Sequence, residues 1–307
     1  MIDVSIIIPT YNRLWSLPKA VDSCRDTLLN IELVVIDDGS TDGTAEWLAQ
    51  QQGLTVISQV NRGKDWAVNA GMAIAHGKYI RFLDSDDWHL PRSTDELFAQ
   101  AERQQLDVTC AGYQVFDDEK LIKQIDWSIC DDFLAQQLGE CDSSHYSAYL
   151  FKKDFIDDIP HRQEYRSRDD RGFILEVALK KPVTGYILTP TLAHRQHKNN
   201  RLQSSVGLNN LFDNLALVKV FKRTFAVLKR ENRLTQRYKN AAANQLWHLA
   251  HWIAKADLNE GKATYNWVYE LNPHYEPQVN KNLALMYKTL GFELTEMILR
   301  FIRIFKI

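Results

Sequence analysis

Arg81-Phe82-Leu83-Asp84-Ser85-Asp86-Asp87-Trp88 is an apolar run that delivers three carboxylates within four residues. Burying that much like charge without a counter-ion costs on the order of several kcal/mol per group, so a cation is the natural resolution. Hard divalent ions such as Mg²⁺ and Mn²⁺ favour carboxylate oxygens and share their coordination sphere with a substrate diphosphate. An acidic turn that merely caps the next helix would present the same residues, and the apolar run in front is what weighs against that alternative.

Working outward, Tyr79 to Leu83 has three earlier counterparts: Ser5 to Ile8, Leu33 to Ile36 and Leu54 to Ile57. Stretches with helical spacing of apolar residues separate these runs, an alternation that predicts parallel strands with crossover helices and an α/β fold. The runs lack period-two polarity and are expected to be buried on both faces. Each ends in a polar cluster: Pro9-Thr10-Tyr11-Asn12, Asp37-Asp38-Gly39-Ser40, Asn61-Arg62-Gly63-Lys64 and Asp84-Ser85-Asp86-Asp87. In open α/β sheets ligands bind at the carboxyl ends of the strands. Ser40, Thr41 and Asp42 are placed to cap a helix through Ala45 to Ala49, and Ser93 with Glu96 reads as a capping box before Leu97 to Ala101.

Residues 107 to 198 read as mixed, with strands near Val108 to Tyr113 and Tyr186 to Leu188 and a helix near Phe173 to Leu179. From about Leu208 the pattern is helical and rich in Ala, Leu, Trp and Lys, so the expected domains are 1–207 and 208–307. Pro273 and Pro277 bracket a turn between late helices.

Charge excludes some partners. Thirty-seven Lys and Arg nearly balance 39 Asp and Glu, so neither nucleic acid nor another strongly charged partner is expected. The cysteines, Cys24, Cys110, Cys130 and Cys141, form no CxxC pair. That spacing suits neither a thiolate zinc site nor a dithiol redox site and predicts reduced thiols in a cytoplasmic protein. Val4 to Ile8 is cut by Pro9 and is too short for a signal segment or a membrane span.

The second acidic turn, Asp37-Asp38-Gly39-Ser40-Thr41-Asp42-Gly43-Thr44, also follows an apolar run, and a carboxylate there can accept from a base imide or a ribose hydroxyl. An Asx-rich turn with glycine at positive φ is the alternative. Taken together, Ser5 to Arg13, Val34 to Thr44, Asn61 to Gly71 and Lys78 to Trp88 resemble family 2 glycosyltransferases, which share the GT-A fold. The resemblance implies a Rossmann-like nucleotide-diphospho-sugar transferase domain followed by the helical region. It places Pro9, Tyr11 and Asp38 around the nucleobase, Asp84 and Ser85 at the ribose or diphosphate, and Asp86 on a Mn²⁺ or Mg²⁺ ion.

Arg168-Asp169-Asp170-Arg171 resembles the family's Glu-Asp motif at a helix start, which makes Asp170 the general base of an inverting transfer; acids that complement the helix dipole would look the same. Ala193-His194-Arg195-Gln196-His197-Lys198 resembles the stretch that carries a late histidine. His197 is therefore a candidate metal ligand, with His194 as its alternative, and Arg195 or Lys198 would meet phosphate. The family's arginine in its Ala-Arg-Asn triplet is Val68 here, so Lys64 or Arg62 must supply that charge. The Gln-x-x-Arg-Trp motif of processive synthases is absent, which predicts single-sugar transfer.

The expected reaction moves one sugar, from a UDP-sugar by preference, to a hydroxyl of a glycan or lipid-linked acceptor. A silent sugar-nucleotide-binding scaffold is the rival from another class. A nucleotidyltransferase is a further one, although it would need a Gly-rich basic loop after the first strand. Trp247, Trp252 and Trp267 can stack on sugars or pack helices. Leu294, Met297, Ile298, Phe301, Ile302 and Phe305 oppose Glu293, Glu296, Arg300, Arg303 and Lys306 at helical spacing. Such a helix either docks on protein or lies on the inner face of an anionic membrane.

Overall fold

The computed structural model describes residues 1–117, 119–196 and 207–305. The four apolar runs are strands β1 (Val4–Thr10), β2 (Ile31–Asp37), β3 (Leu54–Ser58) and β4 (Tyr79–Phe82), connected by α1 (Leu17–Cys24), α2 (Thr44–Leu48) and α3 (Lys64–Ile74). The chain continues through β5 (Trp88–His89), α4 (Ser93–Gln104), β6 (Val108–Cys110), β7 (Tyr113–Asp117), β8 (Lys120–Ile125), α5 (Phe133–Leu138), β9 (Leu150–Lys152), α6 (Lys153–Ile156), α7 (Asp169–Leu179), β10 (Thr184–Tyr186) and β11 (Leu192–Gln196). It ends in α8 (Gly207–Arg230), α9 (Gln236–Ala254), α10 (Leu258–Leu271) and α11 (Lys281–Phe305).

Two compact units result. The first takes Met1–Ile129, Ser143–Gln163 and the chain from Glu176 through β11. Its main sheet has the order β10-β6-β9-β4-β1-β2-β3, with β1 parallel to both β2 and β4. The second sheet, β5-β11-β7-β8, is antiparallel at β5–β11 and β7–β8 and parallel between β11 and β7. The parallel centre is apolar because helices cover both faces: Ile6, Ile8, Leu33 and Val35 are buried with Leu17, Val21 and Leu48 on one, and Ile7 and Ile36 meet α3 at Gly71 on the other.

Three expectations are corrected. β3 is partly exposed, because it is the edge strand of the sheet and has a neighbour on one side only. The run Val108 to Tyr113 divides between two sheets at Gly112, where an added Cβ would stand 2.4 Å from the carbonyl oxygen of Ile125. Ser93 does not cap α4; Arg92, at φ 58°, occupies the cap position, and the Ser93 hydroxyl instead accepts from the buried guanidinium of Arg81 at 3.0 Å. A buried cation outcompetes a solvent-facing helix end for that acceptor.

The second unit comprises Cys130–Asp142, Glu164–Leu175 and the chain from α8 onward. Among its described residues there is no strand. Arg237 of α9 pairs with Asp131 and Glu140, and Tyr238 donates to Asp132 Oδ2 at 2.9 Å, so the short α5 segment is held on α9 by polar contacts at both of its ends. Gly291, at φ 73°, breaks α11 into two halves.

Candidate functional site

In the first unit the carboxyl ends of β1, β2 and β4 carry three polar turns. Gly39, at φ 80°, lets the chain fold back after β2, where a side chain would collide with the amide nitrogen of Asn61. Asp38 is buried, and its carboxylate accepts from Gln59 Nε2 at 2.7 Å, from the amide of Arg62 at 2.9 Å and from that of Gly63 at 2.8 Å. Asp38 therefore shapes the loop that leads into α3. Asp42 does the same for the turn before α2, accepting from the Thr44 amide and hydroxyl and from the amide of Leu14.

At the first residue of α3, Lys64 Nζ lies 2.5 Å from Asp84 Oδ1. Burial pushes the Asp84 carboxyl up, but Lys64, His145 and His194 more than offset that and hold it below the ordinary carboxylate value. Of the two cations considered in place of the family's arginine, Lys64 reaches the acidic turn, whereas Arg62 lies over the ring of Trp66 at 3.4 Å. Val68 is fully buried and serves the core. Asn69 holds the main chain at His161 through two hydrogen bonds of 2.8 Å, one to its amide and one to its carbonyl.

The acidic turn does three different things. Asp86, partly exposed, has Arg13 Nε at 3.6 Å. Asp87 is buried and accepts from His194 Nδ1 at 3.1 Å and from the Arg195 amide at 2.8 Å, which ties the turn to β11. Burial raises the Asp87 carboxyl, and the same cause lowers the His145 imidazole. Ser85 is buried, and its carbonyl accepts the Ser16 hydroxyl at 2.8 Å. Pro9 is buried in β1, while Tyr11 stands exposed beyond it.

Asp87, His145 and His194 bring one ligand atom each to within 4.8 Å of one another. A carboxylate oxygen and two imidazole nitrogens are donors that a first-row divalent ion such as Mn²⁺ accepts, so these residues fit a cation in chemical type. His145 escaped the sequence reading because nothing around Ser143-Ser144-His145-Tyr146 marks it; only the fold carries it to β11, where the His145 and His194 rings stand 4.8 Å apart. Arg13 was missed as a partner of Asp86 for the same reason. A second group, Cys130, Asp131 and Glu140, is already engaged by Arg237 and is an ion-pair cluster.

Arg195 is buried, with its guanidinium 5.4 Å from the Trp15 ring centre and 5.0 Å from that of Trp88. His197 and Lys198 lie outside the described residues. Asp169 and Asp170 belong to the second unit and open α7; Asp169 is buried, and Asp170 Oδ1 accepts from the Arg171 amide at 2.6 Å.

The comparisons agree with this layout. GlyG, a glycosyltransferase of Streptococcus pneumoniae serotype 4, is 32% identical over 121 residues, which span 38% of this chain and 40% of GlyG. The fold is similar to that of Staphylococcus aureus TarS residues 1–349, solved in complex with UDP-GlcNAc, with a TM-score of 0.57 at 14% identity, covering 89% of this chain and 91% of the TarS chain. It is also similar to the mannosyltransferase PcManGT of Pyrobaculum calidifontis, solved with GDP-Man and Mn²⁺, with a TM-score of 0.52 at 14% identity over 97% of this chain and 86% of that one. These likenesses assign a GT-A-type domain followed by a helical region. The profile described as glycosyl transferase family 2 matches residues 5–155, and the likeness to that family is carried by this segment.

Proposed function

We propose that this protein transfers a single sugar from a nucleotide diphosphate sugar, a UDP-sugar by preference, to a hydroxyl of a glycan or lipid-linked acceptor, with inversion. The observation that carries the reading is that the acidic turn after β4 receives Arg13, from beyond β1, at Asp86 and Lys64, from the start of α3, at Asp84. TarS and PcManGT were solved with UDP-GlcNAc and GDP-Man, which supports a nucleotide-sugar donor.

In this reading Tyr11 stacks on the base above Pro9, and Asp38 accepts from it once Gln59 gives up its place. Lys64, Asp84 and Ser85 meet the ribose and diphosphate. Asp86 would hold a Mn²⁺ or Mg²⁺ ion, with His197 or His194 as the imidazole ligand. When bound, that ion neutralises charge on the departing diphosphate. The chain's own contribution is positional. Asp87 sets the orientation of His194 through Nδ1, and the loop shaped by Asp38 presents Lys64 to the site. Asp170 takes the acceptor proton as the anomeric carbon is attacked, its carboxylate being held at a helix start.

We place the catalytic domain at 1–207 and the helical domain at 208–307, and the enzyme in the cytoplasm at the inner face of the membrane. No described helix is long and apolar enough to cross a membrane. The test is a thermal-shift panel of nucleotide sugars with and without Mn²⁺, because a ligand that binds only the folded state raises its melting temperature. A donor-specific, metal-dependent rise, with slow donor hydrolysis, is expected. Absence of a shift with every nucleotide sugar would overturn the reading and favour a silent scaffold.

A further inference from the structure

The second half of α11 buries the wrong amount of itself for a helix that faces only water. Phe292, Thr295 and Glu296 are buried on one side. On the other, Leu294, Met297 and Phe301, spaced i, i+3 and i+7, stand 46%, 51% and 64% exposed, and Ile302 beside them is 43% exposed. Before the break at Gly291, Leu285 and Leu290 are exposed as well. An exposed apolar strip of this kind marks a contact surface rather than scattered surface residues.

The charges around the strip say what covers it. Both acids of this half are paired: Glu293, exposed, with Lys262 at 2.7 Å, and Glu296, buried, with His251 and Tyr287. Among the cations nearby, Arg303 also reaches His251 Nε2 at 3.2 Å. Lys255, Lys288 and Arg303 are exposed, and Arg300, partly exposed, gives its Nε to the Ala254 carbonyl. An apolar strip with a cationic rim and no free carboxylate complements an anionic lipid surface, where side chains such as Leu, Met and Phe enter the acyl boundary while Lys and Arg meet the headgroups.

We propose that the second half of α11 is a monotopic membrane contact that seats Leu294, Met297 and Phe301 in an anionic bilayer surface. The lipid contact stands on this helix alone. The consequence that the acceptor is lipid-borne rests on the glycosyl-transfer reading.

The test is co-sedimentation of the full chain with vesicles of phosphatidylcholine alone and of phosphatidylcholine mixed with phosphatidylglycerol. The protein is expected to bind the anionic vesicles, more weakly at high salt. Leu294→Asp with Phe301→Asp should lower partitioning at least about tenfold, since two apolar side chains leave the acyl region. Lys288→Glu should weaken it severalfold on anionic vesicles alone. Unchanged melting temperature and nucleotide-sugar shift in these variants will show that they fold. Equal partitioning of the double variant, or no binding to anionic vesicles by the unaltered chain, would overturn the proposal. So would a dimer in light scattering that the double variant dissociates, without vesicle binding, because the strip would then belong to a second copy. Vesicle binding needs no turnover, so its failure leaves the glycosyl-transfer reading standing, and failure of the donor panel leaves the lipid contact standing.

Discussion

Lys64 Nζ and Asp84 Oδ1 stand 2.5 Å apart, joining the start of one helix to the end of the central strand β4. The contact depends on a third residue that touches neither, because Asp38 fixes the loop from which α3 departs by accepting the amides of Arg62 and Gly63. A cation that the sequence offers only as a substitute for a missing arginine is thus delivered to the acidic turn by a buried carboxylate 26 residues earlier.

Lys64→Met is expected to reduce donor affinity about tenfold, the value of one charge-assisted phosphate contact. It should also cost about 1–2 kcal/mol of stability at neutral pH, as a partly buried ion pair is lost. Because the folded-state pKa of Asp84 is depressed, the pair contributes above the unfolded carboxylate value and is lost as pH falls through the folded one. The stability gap between variant and parent should therefore close below about pH 4, which urea unfolding at a series of pH values will measure.

Asp38→Ala removes an acceptor from two main-chain amides and one side-chain amide. A loss of about 1–2 kcal/mol is expected as partly buried donors lose a charged acceptor, together with weaker binding of nucleotide diphosphates. Retained affinity in calorimetry, with the predicted drop in melting temperature, would confine Asp38 to shaping the loop.

Arg81 is fully buried, and its two terminal nitrogens donate to neutral groups, the hydroxyls of Ser93 and Thr94 and the Thr191 carbonyl, while its Nε is buried without a partner among the described residues. Burial pushes its pKa down to about 9. Arg81→Met should cost about 2–4 kcal/mol, because the Ser93 and Thr94 hydroxyls lose their donor, the Thr191 carbonyl keeps only the Leu90 amide, and only part of the loss is recovered as apolar packing. A variant as stable as the parent in chemical denaturation would show that the guanidinium merely fills space.

Cys24 and Cys110 are buried, and burial pushes the Cys24 thiol up to about 12 and Cys110 well above its usual value. Neither should react with a thiol reagent until the protein is unfolded. Cys130 is half-buried and raised to about 11, first by burial and then by its Cys141 and Glu140 neighbours. Its labelling should be slow near neutrality and quicken about tenfold per pH unit toward that value, since the thiolate is the nucleophile. Rapid labelling of all four at neutral pH would contradict the burial.

Asp170→Asn should lower turnover by about 10² to 10⁴ and leave donor affinity intact, because a general base acts on the acceptor proton. Initial rates combined with donor binding will check this, and an unchanged kcat would remove Asp170 from the mechanism.

Much of the architecture was legible because it depends on local pattern. The four apolar runs became β1 to β4 within a few residues of their expected limits, and every described element after Leu208 is a helix. Short elements were not legible. β5 has two residues and β9 three, too few to carry a period, and the division at Gly112 is forced by a main chain that is distant in sequence. The Ser93 cap failed because the competing donor, Arg81, comes from the sheet interior.

By itself the sequence determined the alternation of strand and helix, and hence the sheet whose carboxyl ends collect Asp38, Lys64, Asp84 and Asp86. Hydrophobic period and turn chemistry are properties of neighbouring residues, so they survive without coordinates. Only the tertiary structure decided that Asp87 meets His194 across 107 residues, that His145 joins them, and that Lys64 rather than Arg62 reaches Asp84. Those outcomes depend on which distant groups share one buried volume, where each polar atom must find a partner as water is excluded, and no local pattern records that competition.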